Sequence, residues 1–153
     1  MKQILFRALV ILVFVNSAYA GGFVQYYVAL KSKETNLRAG PNVRYPIRLK
    51  IARKNEPLKV INKFQNWRQV EDSEGDKGWA HVSNLSSKKF VKTKGKTQTN
   101  IHNKPEVGSD IIAKTESNVV FSVLSCKENW CKIERDGIKG WIEKTNLWGA
   151  IDE

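Results

Sequence analysis

The chain contains one pattern of short motifs twice. The first copy carries, in order, Asn36-Leu37-Arg38, Asn66-Trp67, Gly78-Trp79 and Asn84-Leu85. The second copy carries Asn100-Ile101-His102, Asn129-Trp130, Gly140-Trp141 and Asn146-Leu147, at offsets of 64, 63, 62 and 62 residues. Four motifs that recur in the same order indicate that one folding unit of about sixty residues has been duplicated, with the slips in spacing falling in loops.

The pattern within each copy predicts short strands and tight turns. The predicted strands are 58–64, 67–71 and 78–82 in copy one, and 119–125, 130–135 and 138–143 in copy two. Asp136-Gly137 between two strands is a strong signal for a type I′ hairpin. Because no segment has a sustained helical period, we predict an all-β protein made of two small, strongly bent barrels.

The first twenty residues are predicted to be a signal peptide. Lys2 and Arg7 precede a short apolar core, and Ala18-Tyr19-Ala20 forms an A-x-A motif for cleavage between Ala20 and Gly21. The apolar run is shorter than the ~20 residues that span a bilayer, so we expect an exported protein, periplasmic or secreted, without a stable membrane anchor. Cleavage would leave 24 basic and 15 acidic residues, a net charge of +9.

The remaining chain divides into residues 21–86, a lysine-rich segment at 87–98 and residues 99–153. We expect the middle segment to be either an extended linker or, through Phe90-Val91, a strand that closes the first barrel. The net charge of +9, which is concentrated in this segment, suits anionic envelope polymers or membrane surfaces, or it forms only a soluble basic surface. Export argues against a nucleic-acid partner, and the oligomeric state stays open.

The composition excludes several kinds of chemistry. Two His and two Cys in the whole chain are too few for a His/Cys metal cluster, and no glycine-rich phosphate loop occurs. Cys126 and Cys131 frame a predicted hairpin turn, and in an exported protein a disulfide between them is the leading interpretation. The alternative, a catalytic thiol, needs a positioned histidine base, and nothing places His81 or His102 beside a cysteine. We therefore predict no catalytic residue, no metal and no cofactor.

The motifs of copy one resemble those of the bacterial SH3-like domain. The resemblance rests on Asn36-Leu37-Arg38-Ala39-Gly40-Pro41, Tyr45-Pro46-Ile47, Asn66-Trp67, Gly78-Trp79 and Leu85. Copy two keeps Trp130, Gly140-Trp141 and Leu147-Trp148-Gly149, but it has Asn103-Lys104-Pro105 instead of the Gly-Pro step and His102 in place of Arg38. The resemblance implies two five-stranded SH3-like barrels in tandem, in an exported or cell-wall-associated module.

Strand alternation predicts where the tryptophans point. Val70, Ala80, Ile133 and Ile142 are natural interior residues, so the neighbouring indoles of Trp67, Trp79, Trp130 and Trp141 fall on the opposite face of their strands. One interpretation is an aromatic groove for an extended peptide. The candidate ligand-binding residues are Tyr45, Trp67, Trp79 and Arg38 in copy one and Trp130, Trp141 and Trp148 in copy two. The other interpretation is that these rings cover the barrel ends or are buried between the copies.

The sequence is compatible with two functions. The first is a non-catalytic binding module of the bacterial cell envelope that recognises cell-wall peptide or an extended protein segment through aromatic surfaces. The alternative is a structural or adaptor protein whose tryptophan surface mediates packing between the copies or docking of an envelope protein. Arg38 likewise has two possible roles, because its guanidinium could anchor the Gly40-Pro41 loop or could bind a ligand carboxylate.

Overall fold

A computed structural model describes residues 23–151 as two antiparallel sheets of seven strands, one for each copy of the repeat. The predicted signal peptide and its cleavage site at Ala20 and Gly21 lie outside the described residues. Among the residues described, no helix is long and apolar enough to cross a membrane.

The first sheet is formed by copy one. Its strands are β1 (Tyr26–Leu30), β2 (Thr35–Arg38), β3 (Ile47–Ile51), β4 (Pro57–Phe64), β5 (Trp67–Glu71), β6 (Lys77–His81) and β7 (Leu85–Ser86). A single 3₁₀ turn, Val82–Asn84, separates β6 from β7. The strands lie in the order β3-β2-β6-β5-β4-β1-β7.

The second sheet is formed by copy two. Its strands are β8 (Phe90–Thr93), β9 (Thr99–His102), β10 (Ile111–Thr115), β11 (Val120–Lys127), β12 (Trp130–Arg135), β13 (Ile138–Glu143) and β14 (Leu147–Gly149). The 3₁₀ turn Lys144–Asn146 again precedes the last strand. The order β10-β9-β13-β12-β11-β8-β14 repeats that of the first sheet with every number raised by seven, so the duplication and the all-β class are confirmed.

The sheets have more strands than the five predicted for each barrel. Each gains a strand at its N-terminal end and a strand of two or three residues after the 3₁₀ turn. Those last strands are too short to show period-two alternation, so sequence patterning could not identify them.

The segment 87–98 also differs from its prediction as a linker or a closing strand of the first barrel. Phe90–Thr93 forms β8, which pairs with β11 and β14 and so opens the second sheet. The reason is hydrophobic, because Val91 is fully buried in the interior of copy two. Lys92, on the opposite face of the same strand, is buried as well.

Each copy has its own apolar interior. Alternate residues of the strands supply it, and the predicted interior residues Val70, Ala80, Ile133 and Ile142 are all fully buried. None of the five tryptophans belongs to either interior cluster. The hairpin turn at Asp136 and Gly137 has φ values of 51° and 84°, as the predicted type I′ turn requires.

The glycine of each Gly-Trp motif allows two strands to approach closely. A Cβ on Gly78 would lie 2.6 Å from Cβ of Leu37, and a Cβ on Gly140 would lie 2.4 Å from Cγ2 of Ile101. Leu37 and Ile101 are interior residues at equivalent positions of β2 and β9. The motif is therefore a packing requirement of the barrel, and the tryptophan that follows is carried on its outer face.

The two copies meet at a seam with a buried ion pair. Nζ of Lys92 lies 2.5 Å from Oε1 of Glu56, and each side chain is only 6% exposed. Arg53 approaches the second oxygen of Glu56 at 3.4 Å and donates to the Asn118 carbonyl of copy two at 2.9 Å. Besides these polar contacts, Tyr27 and Trp148 meet edge to face at 5.3 Å.

Candidate functional site

The outer face of copy one carries a row of aromatic and polar side chains. Trp67 stands opposite His81 in the β5–β6 register, and Trp79 stands opposite both Gln69 and Arg38. Directly opposite residues share a face, as do residues two apart in a strand. Both indoles are half-buried, so each presents part of its ring to solvent.

A groove of about 440 Å³ lies at one end of this face, and we name it groove one. Its lining residues are Glu34, Thr35, Asn36, Arg38, Val43, Trp67, His81, Ser83 and Asn84. The indole of Trp67 contacts the His81 ring edge to face at 5.4 Å, and Nδ1 of His81 lies 2.8 Å from Oγ of Ser83. An aromatic wall with several short polar groups is suited to an extended peptide.

Thr35 adds an unusual polar group to the wall of groove one. Thr35 is 4% exposed, and its hydroxyl has no hydrogen-bond partner among the residues that the structure describes. Buried polar atoms are nearly always paired with protein or ordered water. The Thr35 hydroxyl is therefore an unpaired buried group in the wall of groove one, and its oxygen is covered from solvent.

Arg38 anchors the loop beside groove one. Its Nη1 donates to the Tyr45 carbonyl at 2.8 Å. Of the two roles predicted from the sequence, this contact is the anchoring one. The Tyr45 ring lies against Gly40, because a Cβ on Gly40 would come within 2.6 Å of it. Since Tyr45 is 47% exposed, the loop presents an aromatic ring next to the groove.

Replacing Gly40 by alanine is expected to displace the Tyr45 ring and leave the barrel folded. The added methyl group would overlap the ring, which is exposed and free to move away, so the free energy of unfolding should change by no more than ~1 kcal/mol. The displaced ring should be seen as a shift of the Tyr45 aromatic signals in NMR spectra.

The matched control for this variant is Lys104→Ala, at the equivalent position of copy two. Ser109 replaces Tyr45 in that copy, so no ring has to be accommodated and no aromatic signal should shift. Unmoved Tyr45 signals in Gly40→Ala would contradict the described packing.

The equivalent groove of copy two is smaller, about 240 Å³, and no Trp, Tyr or Phe is among its lining residues. His102, which replaces Arg38, keeps the anchoring role because its Nδ1 donates to the Ser109 carbonyl at 3.2 Å. The loop geometry is thus preserved in copy two, but the aromatic wall of the groove is not.

The structure places Trp130 and Trp148, two of the predicted ligand-binding residues, in packing contacts. The Trp130 ring is only 6% exposed and contacts His102 edge to face at 5.2 Å, so it is covered and does not line a groove. Trp148 packs against Tyr27 at the seam. Trp141 stays half-buried on the outer face, with Nζ of Lys132 6.0 Å from its ring centroid. The buried Trp130 ring and the contact of Trp148 between the copies fit the second interpretation from the sequence, and ligand binding by Trp67 stays a prediction.

Cys126 and Cys131 form a disulfide, as predicted. They stand opposite each other in the β11–β12 register, at the positions that Lys63 and Arg68 occupy in copy one. The bridge therefore joins the two strands of one hairpin. Both sulfur atoms are bonded to each other and neither is a thiol nucleophile.

Reduction of this disulfide is expected to lower the free energy of unfolding by about 2 kcal/mol, because the closed loop is short in the chain-entropy model. Urea denaturation with and without reductant measures the difference. The double variant Cys126→Ser, Cys131→Ser is the control, since reductant should leave its midpoint unchanged. An equal midpoint for oxidised and reduced wild-type protein would contradict the expectation.

Sequence reasoning did not identify His81 or Thr35 as groove residues. His81 could have been found from the strand register, because residues opposite Trp67 share its face. Thr35 gave no signal, since a lone threonine in a strand is ordinary. Within residues 23–151, no group of three or more His, Cys, Asp or Glu side chains is arranged to hold a metal ion.

Two small antiparallel barrels in tandem, with an anchored loop beside a groove in each, define a protein of the SH3-like class. Residues 31–87 and 95–149 each match the bacterial SH3 domain family, and the chain belongs to that family.

Among curated proteins, the chain is 25% identical over 124 residues to the putative N-acetylmuramoyl-L-alanine amidase YrvJ of Bacillus subtilis strain 168. The match covers 74% of this chain and 24% of the amidase, so the chain spans about a quarter of that relative. Among solved structures, NlpC2 from Trichomonas vaginalis is 15% identical, with a TM-score of 0.37 over 82% of this chain and 48% of that chain. The endolysin LysPBC5 CBD is 14% identical, with a TM-score of 0.35 over 86% of this chain and 97% of that chain.

Proposed function

We propose that the protein is an exported, non-catalytic binding module of the bacterial cell envelope, and that groove one recognises the peptide part of peptidoglycan or another extended peptide. The observation that carries the proposal is the half-buried indole of Trp67, which lines groove one together with the ring of His81. An indole supplies apolar contact area to a ligand at a low cost in side-chain entropy.

Family membership supports the cell wall as the location of the ligand. The curated relative is named as a putative N-acetylmuramoyl-L-alanine amidase, and we take the muramoyl group in that name as support for a cell-wall ligand. The net charge of +9 after cleavage favours association with anionic envelope polymers as well.

Binding of purified protein to purified peptidoglycan tests the proposal. The chain starting at Gly21 should sediment with sacculi at physiological salt and should be released by soluble muropeptides. No new muropeptide should be released from the sacculi during the same incubation, whether the wild-type protein or the Cys126→Ser variant is added. Protein that stays in the supernatant would contradict wall binding, and hydrolysis would contradict the non-catalytic assignment.

An adaptor function is the second candidate, and one contact favours it. Trp148 packs on Tyr27 across the seam, so at least one tryptophan of the repeat serves packing between the copies. If the protein acts only as an adaptor, it should capture an envelope protein and fail to bind sacculi.

A further inference from the structure

Positive charge is distributed unequally between the two copies. Residues 23–86 carry twelve basic and six acidic side chains, and segment 87–98 carries five lysines and no acid. Residues 99–151 carry seven of each and are neutral. The excess positive charge therefore belongs to copy one and to the segment through which the chain enters copy two.

A cleft of about 630 Å³ opens between the copies, and both copies contribute to its walls. Its cationic lining residues are Arg53 and Lys54 from copy one and Arg135 from copy two. Phe90 of β8 adds an aromatic surface. The cleft shares Arg53 with the seam, where this side chain connects Glu56 of copy one to Asn118 of copy two.

Both guanidinium groups of the cleft are held in place by backbone carbonyls. Nη1 of Arg53 donates to the Asn118 carbonyl at 2.9 Å, and Nη1 of Arg135 donates to the Val120 carbonyl at 3.1 Å. Each guanidinium has five N–H donors, so each keeps donors for a ligand. Both side chains are 48% exposed. A fixed, accessible guanidinium is suited to bind carboxylate or phosphate oxygens.

The acidic residues of the cleft are already paired. Oδ2 of Asp136 accepts from Nε of Arg135 at 3.0 Å, and Oε1 of Glu134 lies 3.6 Å from Nζ of Lys139. Lys54 has no side-chain partner within residues 23–151. The two carboxylates lower the positive potential of the cleft around Arg135. The potential near Lys54 is not lowered in this way, so this part of the cleft can attract an anion.

We propose that the cleft between the copies is a second binding site, which takes an oxyanion, phosphate or carboxylate, of an envelope polymer. Arg53 and Arg135 would contact it from the two walls, and Lys54 would add charge at the edge. This site uses no residue of groove one, so it is separate from the proposed peptide recognition and exists only while the two copies are joined at the seam.

Titration of the chain starting at Gly21 with tripolyphosphate, and separately with citrate, tests the proposal. Backbone amide shifts in NMR spectra should change first at residues 53–55 and 118–120. Lys54→Gln should weaken binding by about fivefold, because it removes one charge-assisted contact. Lys63→Gln is the matched control, since it removes the same charge from an exposed hairpin outside the cleft, and it should weaken binding less than about twofold.

Each outcome of this experiment decides the matter. Binding of tripolyphosphate alone assigns a phosphate ligand, and binding of citrate alone assigns a carboxylate, so either result supports the site. Absence of binding to both, or equal weakening by Lys54→Gln and Lys63→Gln, overturns it. Trp67→Ala should leave this binding unchanged, which distinguishes failure of the cleft from failure of groove one.

Discussion

Replacing Glu56 by glutamine is expected to lower the free energy of unfolding by about 3–5 kcal/mol, because the charge of Lys92 would then be buried without its partner. The two side chains are 6% exposed and lie in different copies, 36 residues apart. The substitution keeps the shape of the side chain, so lost packing contributes little. Chemical denaturation followed by tryptophan fluorescence measures the effect.

Two further variants give this prediction its controls. Glu34→Gln removes the partner of Lys50 from a pair whose side chains are 60% and 55% exposed, and it should cost no more than about 1 kcal/mol. The double variant Glu56→Gln, Lys92→Met removes both buried charges and should recover much of the loss. Equal costs for Glu56→Gln and Glu34→Gln would show that the seam is open to water.

Local patterns predicted the hairpins of the fold because the two strands of a hairpin are neighbours in sequence. The hairpins of each sheet join neighbouring strands, so alternation and a turn signal were sufficient to place 67–71, 130–135 and 138–143. The seam was not predictable in this way. Lys92 belongs to a run of lysines that is typical of an exposed segment, and only its distant partner Glu56 makes burial tolerable.

The two grooves show the same limit. Trp67 and Trp130 belong to the same motif, yet one lines a groove and the other is covered. What distinguishes them lies on other strands, since His81 contacts the first ring and His102 contacts the second. One sequence feature does indicate the difference between the two grooves. Gly40 and Tyr45 are replaced together by Lys104 and Ser109, and the Tyr45 ring lies where a side chain at position 40 would be.

Trp67→Ala is expected to weaken binding to peptidoglycan by about thirtyfold or more, the effect of truncating a central aromatic residue of a binding site. Trp67 belongs to neither interior cluster, so most of the protein should stay folded. Trp130→Ala should do the opposite. Its ring is buried, and its loss should cost about 3–5 kcal/mol of stability, while the folded fraction binds with unchanged affinity through copy one.

The pair therefore separates recognition from packing at equivalent positions of the repeat. Sedimentation with sacculi measures the first effect, and denaturation of the same samples measures the second. Trp141→Ala is the matched control, because it removes a half-buried indole from the outer face of copy two without touching groove one, and it should change binding less than about twofold. If Trp141→Ala weakens binding as much as Trp67→Ala does, both copies bind the wall, and the assignment of recognition to groove one is wrong.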